Sequence, residues 1–379
     1  MNPTRRHVFK AITLAIAWSS IMASSAASAH GGDDADLVDQ VYTSTNAASN
    51  ELLVYARTTQ GDLTLRTRVA TLGQGTAAGL GSQGAVTLSE DGRHLFVVNA
   101  ASNTVSTFSL RGSEPRLVSV VDSGGLAPIS VAEHDGLVYV LNAQGSGNVA
   151  GFRNVQGTLT PLYRQPTAPL SAAGGTNPAQ VGFSHDGNTL VVTEKGTNQI
   201  LTYRVRGDGS VAAPVVHASS GTTPFGFAFD PRDHLIVSEA FGGAANASAA
   251  SSYSLGATPL GGFRLVSASV PTGQSAACWV VLTPNGRHAF TTNAGSSSLS
   301  RFDVSPATGK LSLSAGVAGS IGTGGTPIDA AMSSGGRYLY VLGAGSHGIS
   351  SFQVRADGEL VSGGFVGGLP AGSVGLAAN

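Results

Sequence analysis

Residues 177–205, NPAQVGFSHDGNTLVVTEKGTNQILTYRV, carry the reading on which the fold rests. Residues 181–184 are apolar and lead into a His185-Asp186-Gly187-Asn188 turn. Residues 189–193 are rich in β-branched side chains and run back, and 199–205 alternate apolar and polar. Apolar runs on either side of an Asp-Gly pair mark a hairpin, because glycine accepts the positive φ that tight turns demand. The stretch therefore predicts three consecutive antiparallel strands.

The pattern recurs along the chain. Its turns fall at 91, 135, 186, 232, 285 and 335, about 49 residues apart on average, which is the period of a propeller blade or a solenoid coil. A fourth apolar run follows each third strand, for example at 117–121, 159–163 and 311–315. The first unit starts partway: 40–44, 52–56 and 63–69 supply its second, third and fourth strands, with no first. Residues 369–379 read as a lone first strand, so 374–377 can pair beside 40–44 and complete a seventh unit. A solenoid needs two capped ends, whereas a ring needs this exchange. The expected fold is all-β: a seven-bladed β-propeller with four antiparallel strands per blade over residues 37–379. No Trp-Asp pair occurs and the period is long, which argues against WD40 repeats. Residues 167–176 and 241–252, rich in Gly, Ala and Ser, read as loops that break the rhythm.

Composition narrows the function classes. Charged residues make up 11% of the 379 and the net charge is -1, so the chain lacks the basic surface that a nucleic-acid backbone requires. Cys278 is the only cysteine, which excludes an intramolecular disulfide. Arg5 and Arg6 precede an apolar run at 11–22 and an Ala27-Ser28-Ala29 site. That order is the layout of a secretory signal, and residues 4–10 look like a twin-arginine leader. Residues 1–29 are thus expected to direct export to the periplasm or beyond, and the polar stretch 30–36 to form a flexible N-terminus. No later apolar run is long enough to span a membrane. A closed ring needs no partner for stability, so a monomer is expected.

Topology places the candidate site. One face of a propeller collects the starts of first strands and the ends of second strands, and the Asp-Gly turns lie on the other. The collecting face carries Asn46, Asn99, Asn142, Glu194, Lys195, Glu239 and Asn293 at second-strand ends. Gln83, Gln180, Phe225, Cys278, Trp279 and Asp329 stand at first-strand starts. A concave polar mouth of this kind suits a small-molecule ligand or a protein partner. Asn99, Asn142, Asn293, Gln180, Glu194, Lys195, Phe225 and Trp279 are the expected ligand contacts, although a repeated Asn also fits backbone bonding in the following turn. Glu239 stands where other blades carry Asn, and could act as a general base if burial raises its pKa. Glu194 and Glu239 together could hold a divalent cation such as Ca²⁺ or Mg²⁺, since hard cations take oxygen ligands. Cys278 has no base at a diagnostic spacing, and a free Cys beside Trp reads as a packed hydrophobe. His94, His185, His234 and His288 fall near the turns of the far face.

Residues 223–239 (TPFGFAFDPRDHLIVSE), 285–295 (NGRHAFTTNAG) and 177–205 resemble the lactonase-type seven-bladed propellers. That family includes a 6-phosphogluconolactonase and the fungal enzyme that lactonises carboxymuconate, and the resemblance covers most of the chain after residue 29. It implies a site built from a His, two Arg and a Glu. At the matching positions Asn177-Pro178-Ala179-Gln180 has no His. Thr223-Pro224-Phe225-Gly226 has Phe225 in place of one Arg, and Thr292-Asn293-Ala294-Gly295 has Ala294 in place of the other. Ser238-Glu239-Ala240 keeps the Glu. Two Arg would clamp phosphate or carboxylates bidentately, which Phe and Ala cannot do. The expected ligand is neutral or weakly charged, lactone- or sugar-like, bound at the mouth, with hydrolysis there as the activity the resemblance implies. The alternative is a non-catalytic module for a protein or cell-envelope partner.

Overall fold

Each second strand is buried on both faces, and that places the core between sheets rather than inside one. Leu190, Val191 and Val192, consecutive in Thr189–Glu194, are all fully buried. A strand buried on one face alone would alternate; one flanked by sheets on both sides reads as a continuous apolar run. Tyr139 and Leu141 of the third sheet pack with Val181, Val192, Leu201 and Tyr203 of the fourth. Leu52 and Val54 of the first pack with Leu95, Val97 and Phe108 of the second. Burial of each such side chain is worth about 2 kcal/mol.

The computed structural model describes residues 37–163, 167–256 and 262–379. These form seven sheets in a ring, which we number as blades 1 to 7 in chain order. Blade 4 shows the pattern: Pro178–Phe183, Thr189–Glu194, Gln199–Arg204 and Val215–Ala218 pair antiparallel in sequence order. Blade 3 splits its outermost strand into Thr158–Pro161 and Thr167–Pro169, both paired with Asn148–Val155. Among the described residues the only helical element is a 3-10 turn at Phe241–Gly243, and none is long and apolar enough to cross a membrane. The leader and the polar N-terminus expected at 1–36 lie outside the described residues.

Ring closure follows the expected register. Val374–Ala378 lies antiparallel to Leu37–Ser44, with Tyr42 opposite Ala377 and Ser44 opposite Val374. Asn379 reinforces the seam: its Oδ1 accepts the Gln40 N–H at 2.6 Å and its own N–H donates to the Gln40 carbonyl at 3.2 Å. Gly375 has φ +75°, and a Cβ there would stand 2.6 Å from the Val86 backbone nitrogen, so only glycine lets the closing strand abut blade 2.

Three of the repeated turns share one hydrogen-bond scheme. In blade 2 Asp91 Oδ1 accepts from Ser89 Oγ at 2.7 Å and from the Arg93 N–H at 2.9 Å. Asp186 does the same with Ser184 and Asn188, and Asn285 with Thr283 and Arg287. The side chain replaces a turn of backbone, which is why Asp and Asn recur there.

The two stretches read as loops are partly strand. Thr167–Pro169 pairs with Asn148–Ala150, and 249–252 belong to the third strand of blade 5, Ala249–Ser254. The second of these is expected as a strand from 251 to 255, so small side chains hide Thr167–Pro169 and the first residues of Ala249–Ser254 from a reading based on apolar alternation.

Candidate functional site

The second-strand ends do gather on one face, paired with first-strand starts: Pro128 opposite Asn142, Pro178 opposite Glu194, Pro224 opposite Glu239, Ala277 opposite Asn293. Their side chains, however, turn into the blades. Asn99, Asn142, Glu194, Glu239 and Asn293 are all fully buried. Asn99 donates from Nδ2 to Thr104 Oγ1 (3.1 Å) and Ser106 Oγ (2.8 Å), and its Oδ1 accepts from Asn50 Nδ2 (2.9 Å) and Thr71 Oγ1 (2.8 Å). Asn293 bonds Ser298 and Ser300 in the same way, and Asn142 bonds the Ser123 carbonyl and Asn148. Each thereby ties the end of a second strand to the third, and in blades 2 and 3 also to the segment arriving from the preceding blade.

Glu194 and Glu239 solve the same problem with the polarity reversed. Glu194 accepts from the Ser171 N–H (3.0 Å), Ser171 Oγ (2.5 Å) and Thr197 Oγ1 (2.6 Å). Glu239 accepts from the Gly221 N–H (2.8 Å), Ser251 Oγ (2.5 Å) and Ser269 Oγ (2.7 Å). Burial holds the Glu239 carboxyl above its ordinary pKa, against the lowering effect of those three donors. The two carboxylates sit in adjacent blades and share no partner. Among the described residues no group of three or more His, Cys, Asp and Glu is placed to hold a metal ion.

A different set of residues faces the channel at this end. Phe225 and Trp279 are buried, with ring centroids 4.9 Å apart. They cluster with Ala179, Ala240 and Cys278, and with the half-buried Ala276, Ala294 and Ile328. The positions that the family resemblance singles out thus converge, and in this chain they build an apolar floor. Lys195 supplies its charge, with Nζ 4.4 Å from the Phe225 centroid, a cation–π contact. Burial lowers the Lys195 pKa to about 8. It pushes the Cys278 thiol up to about 12, and so keeps it in the unreactive form.

A strap crosses this floor, and no sequence motif announced it. Asn46 anchors its start, donating to the Ala78 carbonyl at 2.7 Å and accepting the Thr76 N–H at 3.1 Å. Residues 81–83 then reach three other blades. Lys195 Nζ donates to the Gly81 carbonyl, and Trp279 Nε1 to the Ser82 carbonyl at 3.0 Å. Ser82 Oγ donates to the Ile129 carbonyl at 2.8 Å. The Gln83 amide bonds both backbone groups of Val280 in blade 6, at 2.9 and 3.2 Å, and so imitates a strand. Gln180 bonds both backbone groups of Phe227 likewise, at 3.0 and 2.7 Å.

The clefts that open on the channel lie at its other, turn-bearing end. One of about 390 Å³ is lined by Glu90, Glu133, His134, Phe183 and Phe229 among others. Its neighbour, about 380 Å³, reaches Gln83 and Val280. Of the four histidines expected at that end, His185 lines both clefts. His234 is bonded to Asp230 at 2.7 Å, His288 faces Asp303 at 3.0 Å, and His94 is buried against Asn154.

The sequence model of the family described as lactonase, 7-bladed beta-propeller, matches residues 40–161, 133–241 and 261–364. No curated protein matches the chain. Among solved structures, a functionally unknown protein from Desulfotomaculum acetoxidans superposes with a TM-score of 0.70 at 14% identity, covering 90% of this chain and 98% of its own. The periplasmic gluconolactonase of Pseudomonas aeruginosa gives 0.68 at 20%, covering 89% and 98%. A Lactobacillus plantarum protein gives 0.69 at 18%, covering 90% and 99%. At such identities the superpositions carry the fold alone.

Proposed function

The chain belongs to the seven-bladed β-propeller lactonase family, and from that premise we propose that it is an exported propeller that binds a small neutral or weakly charged ring, lactone- or sugar-like, at the mouth. One observation carries the reading: the converging family positions hold Ala179, Phe225 and Ala294 beside Trp279 and Lys195. The strap lies over this aromatic pair, so in this reading a ligand displaces residues 81–83 to reach it. An apolar floor with one cation then suits the apolar face of a ring that bears few charges. With Phe225 and Ala294 where the resemblance puts Arg, phosphate finds no bidentate clamp. Export is supported by the basic, apolar and Ala-Ser-Ala segments of residues 1–29. In this reading Glu239 is a positioning residue: its carboxylate holds Gly221 and so the approach to Phe225.

The chain has two tryptophans, and removal of residues 1–29 leaves Trp279 alone. Its emission therefore reports the mouth directly. A titration with neutral lactones and sugars should give a saturable change that phosphorylated sugar lactones do not give, and Lys195→Ala should weaken it. Glu239→Gln should retain the response. If no lactone or sugar alters the emission, the reading is overturned, and a non-catalytic surface for a protein or cell-envelope partner takes its place.

A further inference from the structure

The turn-bearing end of the channel is a blind cup. The strap closes the channel from the mouth side, and Gln83, bonded to Val280, lies at the back of the cup. The two clefts there, about 390 and 380 Å³, share His185, Ala228 and Phe229. Each has the volume of a small-molecule site and opens to solvent. The wall is aromatic: Phe183 and Phe229 are half-buried, and Phe227 stands edge-on to Phe229 with centroids 6.0 Å apart.

The rim is acidic, and no Lys or Arg lines either cleft. Glu133 is fixed there by the N–H groups of Glu90 and Gly136, both at 2.7 Å. Glu90 reaches His134 Nδ1 at 3.3 Å with a side chain that is 57% exposed. Glu90, Asp91 and Glu133 stand close together, with Arg93 3.8 Å from Asp91 and Arg111 lining the adjoining cleft on the outer side of Glu90 and Glu133. Burial holds the Glu133 carboxyl above its ordinary value, with Glu90 and Asp91 adding to the effect, and burial together with Asp186 does the same for Asp233. A cation would relieve that crowding, while an anion would add to it.

We propose that this cup binds a small organic cation with an apolar body, an alkyl- or arylammonium, with its charge at Glu90 and Glu133 and its body against Phe183 and Phe229. Aromatic faces attract a partly desolvated ammonium through their quadrupole, and carboxylates supply the charge-assisted partner. The set of groups also rejects alternatives. His134 and His185 do not complete a metal site with the glutamates, since no three-ligand group exists among the described residues. The site lies on the far side of the strap from the mouth, so the proposal stands independently of the lactone reading.

The test is a calorimetric titration of the purified protein with benzyltrimethylammonium, against benzyl alcohol and benzoate as the neutral and anionic counterparts. The cation should bind, with an affinity that falls as salt rises. Glu90→Gln should weaken it about tenfold, the scale of one charge-assisted hydrogen bond, and Phe229→Leu should weaken it as well. Glu90 is exposed, so its substitution leaves the fold intact, which the melting temperature will verify. Trp279 emission should not change. The proposal is overturned by absence of binding at millimolar cation, by equal binding of benzyl alcohol, or by unchanged affinity in both variants. A Trp279 response indifferent to both substitutions also overturns it, because the cation would then be at the mouth.

Discussion

The two ends of the channel are made from the same repeat and differ in almost every respect. At the mouth the polar side chains of the second-strand ends are buried and bonded within their blades, and a strap covers an aromatic floor. At the turn end the aromatic wall stays open and the titratable groups stand at a rim. The difference shows that a ring of polar residues in sequence need not be a ring of polar residues in space. A buried carboxylate with three donors stiffens the blade, whereas a half-buried one at a cleft edge remains available to a ligand.

The largest test of this contrast is Glu239→Ala. It removes the acceptor of Gly221, Ser251 and Ser269 from a fully buried position. The expected cost is about 3 kcal/mol in chemical unfolding, from unsatisfied donors and the cavity left behind. A loss below about 0.5 kcal/mol, within the range of ordinary surface substitutions, would show that the mouth-end carboxylate is not part of the blade structure.

Glycines at the turn end give a smaller and more local test. Gly92 and Gly187 occupy equivalent turns with φ +67° and +69°, where alanine is strained by about 1–2 kcal/mol. A Cβ at Gly92 would meet nothing within 4 Å, but at Gly187 it would come within 2.2 Å of the His134 ring. Gly187→Ala should therefore cost more than Gly92→Ala, by about 1 kcal/mol, because the imidazole must leave its place between Gly187, Glu90 and the cleft. Equal melting temperatures for the two variants would mean that His134 is free to move and that the cup is soft.

The smallest effect concerns Asp329, fully buried at the first-strand start of blade 7, with an orphaned Oδ2. Burial holds its carboxyl well above the ordinary value. The folded-state pKa is raised, so its contribution to stability is fully present below the unfolded value near 4 and is lost as pH rises toward the folded one. Asp329→Asn removes this linkage. The stability difference in favour of the variant should grow from acid to neutral pH, to about 1 kcal/mol. A difference independent of pH would show that Asp329 is ionised in the fold, with a counter-charge or water at its free oxygen.

Much of this is legible in the sequence. The hairpin of 177–205, its repeats and the missing first strand led to the seven blades and to the closing pair of Val374–Ala378 with Leu37–Ser44. The same reading placed Asn99, Glu194, Glu239 and Asn293 correctly along their strands. A sequence signal for their direction existed too: Asn99 is followed by Thr104 and Ser106, and Asn293 by Ser298 and Ser300, at identical spacings. Hydroxyls five and seven residues beyond an Asn, across a hairpin, are its partners in both blades. The strap had no comparable signal. Residues 76–83, TAAGLGSQ, are small and without period, and their bonds go to residues as much as 197 positions away.

The sequence by itself determined the strands and the turns, which depend on local periodicity. It also determined the closure of the ring, because the repeat count shows one unit short of a first strand at the start and a lone first strand at the end, even though the pair Gln40 and Asn379 lies 339 positions apart. Tertiary structure alone decided which end of the channel is closed. That outcome depends on Gly81, Ser82 and Gln83 meeting Lys195, Trp279 and Val280, contacts made only after seven sheets have brought distant segments to one axis. Local propensity carries no information about such a meeting, and so the strands could be read from the chain while the open end of the channel could not.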